Sequence, residues 1–324
     1  MKAIIPAAGI GSRLRPHTHT APKALLHVAG KPILGHILDE LLAFGIRDIV
    51  FVIGFLGEKI VDYVNKNYNI KAEFVTQEKL NGLGWAIYLT KGYIRPDEPV
   101  LIILGDTIFE TDLTALLKGE FDAIGTRIVD DPRRFGIART DGKFVTELIE
   151  KPENPPSNQA LVGIYYIKST ELFVRCLDEL VEEKITTRGE YQLTDALQLM
   201  IKEGCRMTTF NVDGWFDCGK PETLLATNKY LLSQIKSLDQ REGSILIPPV
   251  YISPSAIVKN SIIGPYVSVG DNSKIIRSII KESIVSEGAD VADCLLEKSL
   301  IGNNSVIAGQ FKKANLGDSS EINY

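Results

Sequence analysis

KAIIPAAGIGSRLRP, Lys2 to Pro16, sets a short apolar run against a loop carrying Gly9 and Gly11 together with Arg13 and Arg15. KAII reads as a buried strand, and KPILGHILDELLAFG beyond the loop places Ile33, Ile37, Leu38, Leu41 and Leu42 at helical spacing, with Pro32 near its start and Gly45 at its end. Strand, glycine loop and helix together open an α/β sheet. In such a loop backbone N–H groups approach phosphate oxygens, and a helix N-terminus adds a favourable dipole. The loop lacks the third glycine of a dinucleotide fingerprint and the Gly-Lys-Ser/Thr ending of a Walker loop. Arg13, Arg15 and, shortly after, Lys23 give instead a density of cations suited to several phosphates.

Outward from this unit, DIVFVIG, KAEFVTQ and PVLIILGD read as apolar strands separated by helical patterns at GEKIVDYVNKNY and GLGWAIYLTKGY. The alternation predicts a Rossmann-like, mostly parallel mixed sheet with helices on both faces. FGIARTDGKFVTEL predicts a hairpin turning at Asp141-Gly142, and EYQLTDALQLMIKEG a helix closed by Gly204. From about Ile245 helical periodicity stops. Apolar marks then recur every five or six residues, at Ile257, Ile263, Val269, Ile275, Ile280, Val285, Val291, Leu296, Ile301 and Ile307. Two positions before each stands a small residue or valine, as at Ser255, Ser261, Ser273, Ser278 and Ser283. So short a repeat buries itself by stacking rungs into a parallel β-helix, with a β-sandwich of short strands as the lesser alternative; the repeat resembles that of hexapeptide proteins, whose three-sided coils imply about three turns here. The domains expected are 1–235, a linker at 236–250, and a β-helix over 251–324.

With 324 residues the chain is too long for one ordinary core, and its 44% hydrophobic and 24% charged residues are those of a globular protein. A net charge of −5 argues against a nucleic-acid or membrane-surface binder, while leaving room for a local basic cleft around Arg13, Arg15 and Lys23. Cys176, Cys205, Cys218 and Cys294 form neither a metal spacing nor a disulfide framework, and no apolar stretch approaches a membrane span. A cytoplasmic protein is expected.

Gly9-Ile10-Gly11-Ser12-Arg13-Leu14-Arg15-Pro16, Pro22-Lys23 and Lys31-Pro32 resemble the GxGxRLxP, PK and KP signature of the sugar-1-phosphate nucleotidylyltransferases. The likeness continues at Gly105-Asp106, Glu150-Lys151-Pro152 and Trp215-Phe216-Asp217-Cys218-Gly219, and so spans residues 1 to about 235. It is nearest to the glucose-1-phosphate thymidylyltransferases and their uridylyltransferase relatives, many of which add a left-handed hexapeptide helix.

The resemblance implies transfer of a nucleoside monophosphate from dTTP or UTP to a sugar-1-phosphate, glucose-1-phosphate first, with release of pyrophosphate. It implies nucleotide contacts at Ala8, Gly9, Gly11, Ser12, Arg13, Gln77, Gly82 and Asp106. Sugar-phosphate contacts are implied at Gly136, Glu150, Lys151 and Val162, Mg²⁺ at Asp106 and Asp217, and catalytic cations at Arg13, Lys23 and Lys151. Residue chemistry agrees: Asp106 ends an apolar strand at a sheet edge, two hard oxygen ligands suit magnesium, and the Gln77 amide matches a pyrimidine imide edge. Gly82-Leu83-Gly84 stands where thymidylyltransferases have Gly-Leu-Ala, and Thr107 where many have asparagine. N-acetylglucosamine-1-phosphate uridylyltransferase, mannose-1-phosphate guanylyltransferase and a non-catalytic nucleotide-sugar-binding subunit are the rival readings. Acyl transfer by the repeat is disfavoured, because no histidine follows His36. The exposed ends of a β-helix lead to a homo-oligomer as the expected assembly.

Overall fold

The computed structural model describes residues 1–235 and 241–309; residues 236–240 of the expected linker and 310–324 of the expected β-helix lie outside the described residues. Two compact units result. One comprises Met1–Leu26 with Lys31–Leu224, and the other His27–Gly30 with the chain from Leu225 onward.

The first unit is built on β1 (Lys2–Pro6), β2 (Asp48–Ile53), β3 (Lys71–Thr76), β4 (Val100–Ile103), β5 (Thr107–Glu110), β6 (Asp122–Ile128), β7 (Gly136–Asp141), β8 (Phe144–Glu150), β9 (Gln159–Ile167), β10 (Met207–Asn211) and β11 (Gly214–Asp217). Nine of these form one sheet in the order β3-β2-β1-β4-β9-β6-β10-β8-β7, while β5 and β11 form a separate ribbon. Pairing is parallel from β3 to β4 and between β10 and β6, and antiparallel wherever β9, β8 or β7 takes part. The sheet is therefore less parallel than strand–helix alternation implies. Helical crossovers separate β1, β2, β3 and β4, whereas β7 and β8 are joined by the tight turn at Gly142, which only antiparallel strands permit. Ala3, Ile4 and Ile5 are all fully buried, as are Ile49 to Val52, so both faces of the parallel half are covered.

The helices α1 (Ile33–Ala43), α2 (Gly57–Asn67), α3 (Leu83–Tyr88), α4 (Leu113–Leu117), α5 (Thr170–Glu182) and α6 (Leu193–Lys202) follow their periodicity. Ala86 of α3, Leu180 of α5 and Leu197 of α6 share one buried cluster with Ile4, Val50, Ile102 and Ile124 of the sheet. Asp112 caps α4 by accepting from Thr114 N at 2.8 Å.

In the second unit three four-stranded parallel sheets stack as the faces of a coil. Their strands begin at Ile245, Ile262, Ile279 and Leu295, at Val250, Val267, Ile284 and Leu300, and at Ile257, Lys274, Asp290 and Val306. Four rungs per face exceed the three turns expected, and the first, Ile245–Leu246, already lies within the stretch expected as linker. One mark is also out of register: Ile257 is 49% exposed, and the inward residue is Val258. Elsewhere the pattern turns inward as expected, with Ile263, Val269, Ile275, Ile280 and Val291 fully buried. The serines before the marks have a structural reason. Ser278 N donates to Ser261 Oγ, Cys294 N to Ser278 Oγ, and Ser299 N to Ser283 Oγ, so each hydroxyl satisfies an amide of the next coil. Asn228, fully buried, accepts from Ala29 N at 2.9 Å and Ser268 Oγ at 2.8 Å and so binds residues 27–30 into this unit.

Candidate active site

The carboxyl ends of β1, β3 and β4 deliver the Gly9 loop, Gln77 and Asp106 to one sheet edge, where open α/β sheets bind ligands. A cleft of about 340 Å³ opens there, lined by Ala8, Gly9, Gln77, Gly82, Leu83 and Asp106 among others. Gln77 continues the sheet by donating its N–H to Ile53 O at 2.8 Å. Its side-chain Nε2 donates to Lys79 O at 3.1 Å, which orients the amide and leaves its carbonyl oxygen as acceptor.

Gly82 has φ +100°, and a Cβ there would stand 2.4 Å from Tyr191 O. At Gly84 a Cβ would meet the Gln192 backbone at 2.9 Å, while Gly84 N donates to Tyr191 O at 2.8 Å. The glycine that replaces the expected alanine is thus set by the chain packed behind it, which brings Glu190 to the cleft wall.

The Gly9–Leu26 loop is held by three short 3₁₀ turns, Ser12–Leu14, His17–His19 and Lys23–Leu25. Leu14 is fully buried, and Thr18 Oγ1 donates to Gly11 O at 2.9 Å, so the loop is pinned while Gly9, Ser12, Arg13 and Arg15 stay exposed. Lys23 differs. Its side chain is only 9% exposed and its Nζ donates to Asp106 Oδ2 at 2.6 Å, with Asp217 Oδ1 at 4.0 Å.

Asp106 and Asp217 meet because β5 pairs antiparallel with β11, Thr107 opposite Asp217. Cys218 N then donates to Asp106 O at 3.3 Å, and Thr107 Oγ1 to Asp106 Oδ1 at 3.3 Å. The Cys218 side chain is buried, as a small packing residue. Among the described residues no group of three or more His, Cys, Asp or Glu is assembled for a metal. Two hard carboxylates suit Mg²⁺ only if phosphate oxygens and water complete its octahedron, so the residues fit an ion that arrives with a polyphosphate.

A second set of side chains gathers around Glu150. Thr194 Oγ1 donates to Glu150 Oε2 at 2.8 Å, and Lys151 Nζ lies 2.9 Å from Glu150 Oε1. Gly136 permits this: a Cβ there would stand 3.0 Å from Glu150 Oε2 and 2.9 Å from Leu161 Cδ1. The Val162 side chain is buried, against Gly125. What the strand offers at this point is backbone, because the β9 register breaks between Leu161 and Tyr165, and Leu104 N bonds Gly163 O at 3.0 Å.

Two groups here, Arg188 and Asp195, escaped sequence reading, and the surroundings of a third, Trp215, follow only from the fold. Arg188, at the tight turn Thr187–Glu190, donates from Nη2 to Lys151 O at 2.7 Å and adds a cation beside Lys151. Trp215 packs edge-on against Phe135 at 5.0 Å, and its indole N–H is buried with no hydrogen-bond partner among the described residues. Burial chiefly, and Glu150 in addition, pushes the Asp195 carboxyl above the usual range against the bond from Thr187. Only the Thr-Asp pair opening α6 signalled this region, and it reads equally well as ordinary helix-start chemistry.

Residues 2–234 match the family described as Nucleotidyl transferase. Agl11, the low-salt glycan biosynthesis nucleotidyltransferase of Haloferax volcanii, is 32% identical over 99% of both chains. A glucose-1-phosphate thymidylyltransferase of Streptomyces griseus is 32% identical over 94% of this chain and 92% of its own. The bifunctional protein GlmU of Methanocaldococcus jannaschii is 40% identical over 73% of this chain, which spans only 56% of that relative's length. A UDP-glucose pyrophosphorylase solved with UDP-glucose superposes with a TM-score of 0.64 at 25% identity, covering 72% of this chain and 99% of its own. No helix among the described residues is long and apolar enough to cross a membrane. The chain therefore belongs to the nucleotidyl transferase family, among the sugar-phosphate nucleotidyltransferases.

Proposed function

We propose that this enzyme transfers UMP or dTMP from the corresponding triphosphate to glucose-1-phosphate and releases pyrophosphate. The observation that carries the reading is the convergence of Lys23, Asp106 and Asp217 at the mouth of the Gln77 cleft. A sugar-1-phosphate is already an anionic nucleophile, so in-line attack on the α-phosphorus needs positioning and charge neutralisation rather than a general base. Ala8, Gly9, Gly11 and Ser12 lead the loop along the triphosphate, Arg13 takes the departing pyrophosphate, and Lys23 neutralises the triphosphate. Lys151 and Arg188 hold the incoming phosphate. Glu150, steadied by Thr194, takes a sugar hydroxyl. Gln77 accepts from the pyrimidine N3–H through the oxygen its bond to Lys79 leaves open. Asp106 and Asp217 would hold Mg²⁺, which would supply neutralisation of the charge that develops on the phosphates.

The likeness of the repeat to hexapeptide-repeat proteins supports a coil that winds left-handed, and the stacked-rung architecture supports a homo-oligomer. Light scattering that finds a monomer at micromolar concentration removes the assembly. Four widely spaced cysteines support a cytoplasmic setting.

Pyrophosphate release with Mg²⁺, measured for dTTP, UTP, CTP, ATP and GTP against glucose-, N-acetylglucosamine- and mannose-1-phosphate, tests the reading. Turnover confined to dTTP or UTP with glucose-1-phosphate is the expected result. A purine preference overturns the role of Gln77, another preferred sugar overturns the glucose assignment, and silence throughout favours a non-catalytic binding subunit.

A further inference from the structure

Lys23 stands between the two carboxylates assigned to the metal, 2.6 Å from Asp106 Oδ2 and 4.0 Å from Asp217 Oδ1. Its side chain is 9% exposed while both aspartates are 42% exposed, so the ammonium reaches the pair from the protein side and the carboxylates keep a face toward solvent. The lysine backbone is fixed: Leu25 N bonds Pro22 O at 2.9 Å, and Leu26 N bonds Lys23 O at 3.1 Å. Only the tip of the side chain has an alternative place to go.

An ammonium and a divalent ion compete for the same oxygens, and with both present the two cations repel at short range. We propose that Lys23 is a place-holder, keeping Asp106 and Asp217 neutralised until polyphosphate binds. The inference rests on the two-aspartate metal site proposed above. Incoming phosphate oxygens offer the ammonium a second anionic partner, and its tip turns from Asp106 toward them. The aspartates are then open to the metal. Nucleotide and metal enter as a coupled pair, each raising the other's affinity by the same factor, and Lys23 is the group through which they are coupled.

The test is Mn²⁺ binding to the full chain, without nucleotide, followed by electron paramagnetic resonance. Lys23→Met keeps the stem and removes the charge; it binds Mn²⁺ about tenfold or more tighter than the unsubstituted protein, and Lys23→Met with Asp217→Asn loses that gain. Circular dichroism establishes that each variant is folded, and Lys23→Gln serves if methionine is not tolerated. Lys23 variants that bind Mn²⁺ no tighter than the unsubstituted protein overturn the place-holder, provided the unsubstituted protein binds Mn²⁺ with an α,β-methylene nucleoside triphosphate. If the unsubstituted protein fails to bind Mn²⁺ even with that analogue, the two-aspartate site itself falls, and the place-holder with it.

Discussion

Thr107 and Asp217 are register partners across an antiparallel ribbon, and that pairing sets Asp106 beside the second carboxylate. The ribbon lies outside the nine-stranded sheet, so the geometry of the aspartate pair depends on four residues in each strand. Asp217→Asn keeps the shape of the side chain and removes its charge. Its thermal midpoint stays close to that of the unsubstituted protein, while Mg²⁺-dependent turnover falls by roughly 100-fold or more, as expected when several kcal/mol of charge stabilisation are lost. Unchanged turnover in a pyrophosphate-release assay means the metal sits elsewhere.

Gly136 lies against Glu150, and the two are directly paired in the β7–β8 hairpin. Gly136→Ala drives a methyl group to within 3.0 Å of Glu150 Oε2 and displaces the carboxylate from Thr194. Losing one charge-assisted hydrogen bond to substrate corresponds to about 1.5–3 kcal/mol, or roughly a tenfold or greater rise in KM for the sugar phosphate. KM for the nucleotide stays near its original value. Equal increases in both constants mean that the substitution distorts the sheet rather than the sugar side.

These two sites differ in how far they can be read from sequence. The Gly9 loop, β1 to β4 and the repeat were legible because each is local: a periodicity, a turn residue, a run of apolar side chains. Asp106 and Gln77 were legible as strand ends. The pairing of Asp106 with Asp217 was implied only by the family resemblance, since no local pattern predicts the β5–β11 register that produces it. Arg188 was missed because its place beside Lys151 follows from a tight turn far along the chain. The antiparallel half of the sheet was under-read because long-range strand order leaves no local pattern. Ile257 was misread because it lies six residues before Ile263, whereas the step across that coil corner is five, from Val258 to Ile263.

Asn228 predicts a stability effect confined to the second unit. Its side-chain oxygen accepts from both Ala29 N and Ser268 Oγ, and its amide donates to Tyr266 O at 3.3 Å. Asn228→Ala leaves two buried donors without their acceptor and costs about 1–3 kcal/mol, the range for an orphaned polar group. Denaturant unfolding monitored by circular dichroism reads the loss. A change below about 0.5 kcal/mol, within the range of ordinary surface substitutions, means that water takes the place of the amide.

His27 gives the second unit a pH dependence whose sign can be worked out. The ring is half-buried, and burial lowers its pKa from the ordinary value of 6.5, partly offset by Glu287 and Asp271. The unfolded chain therefore takes up a proton before the folded chain does. The contribution of His27 is fully present above about pH 6.5, the unfolded value, and is lost as the pH falls from there through the folded value. His27→Gln removes the titrating group, so its unfolding free energy declines less steeply between pH 7 and pH 5 than that of the unsubstituted protein. Glu287→Gln acts in the opposite direction: without that carboxylate the folded imidazolium is still less favoured, and the acid decline steepens. Denaturant midpoints across this pH range decide the matter, and parallel curves for all three proteins mean that His27 protonates as readily in the folded unit as in the unfolded chain.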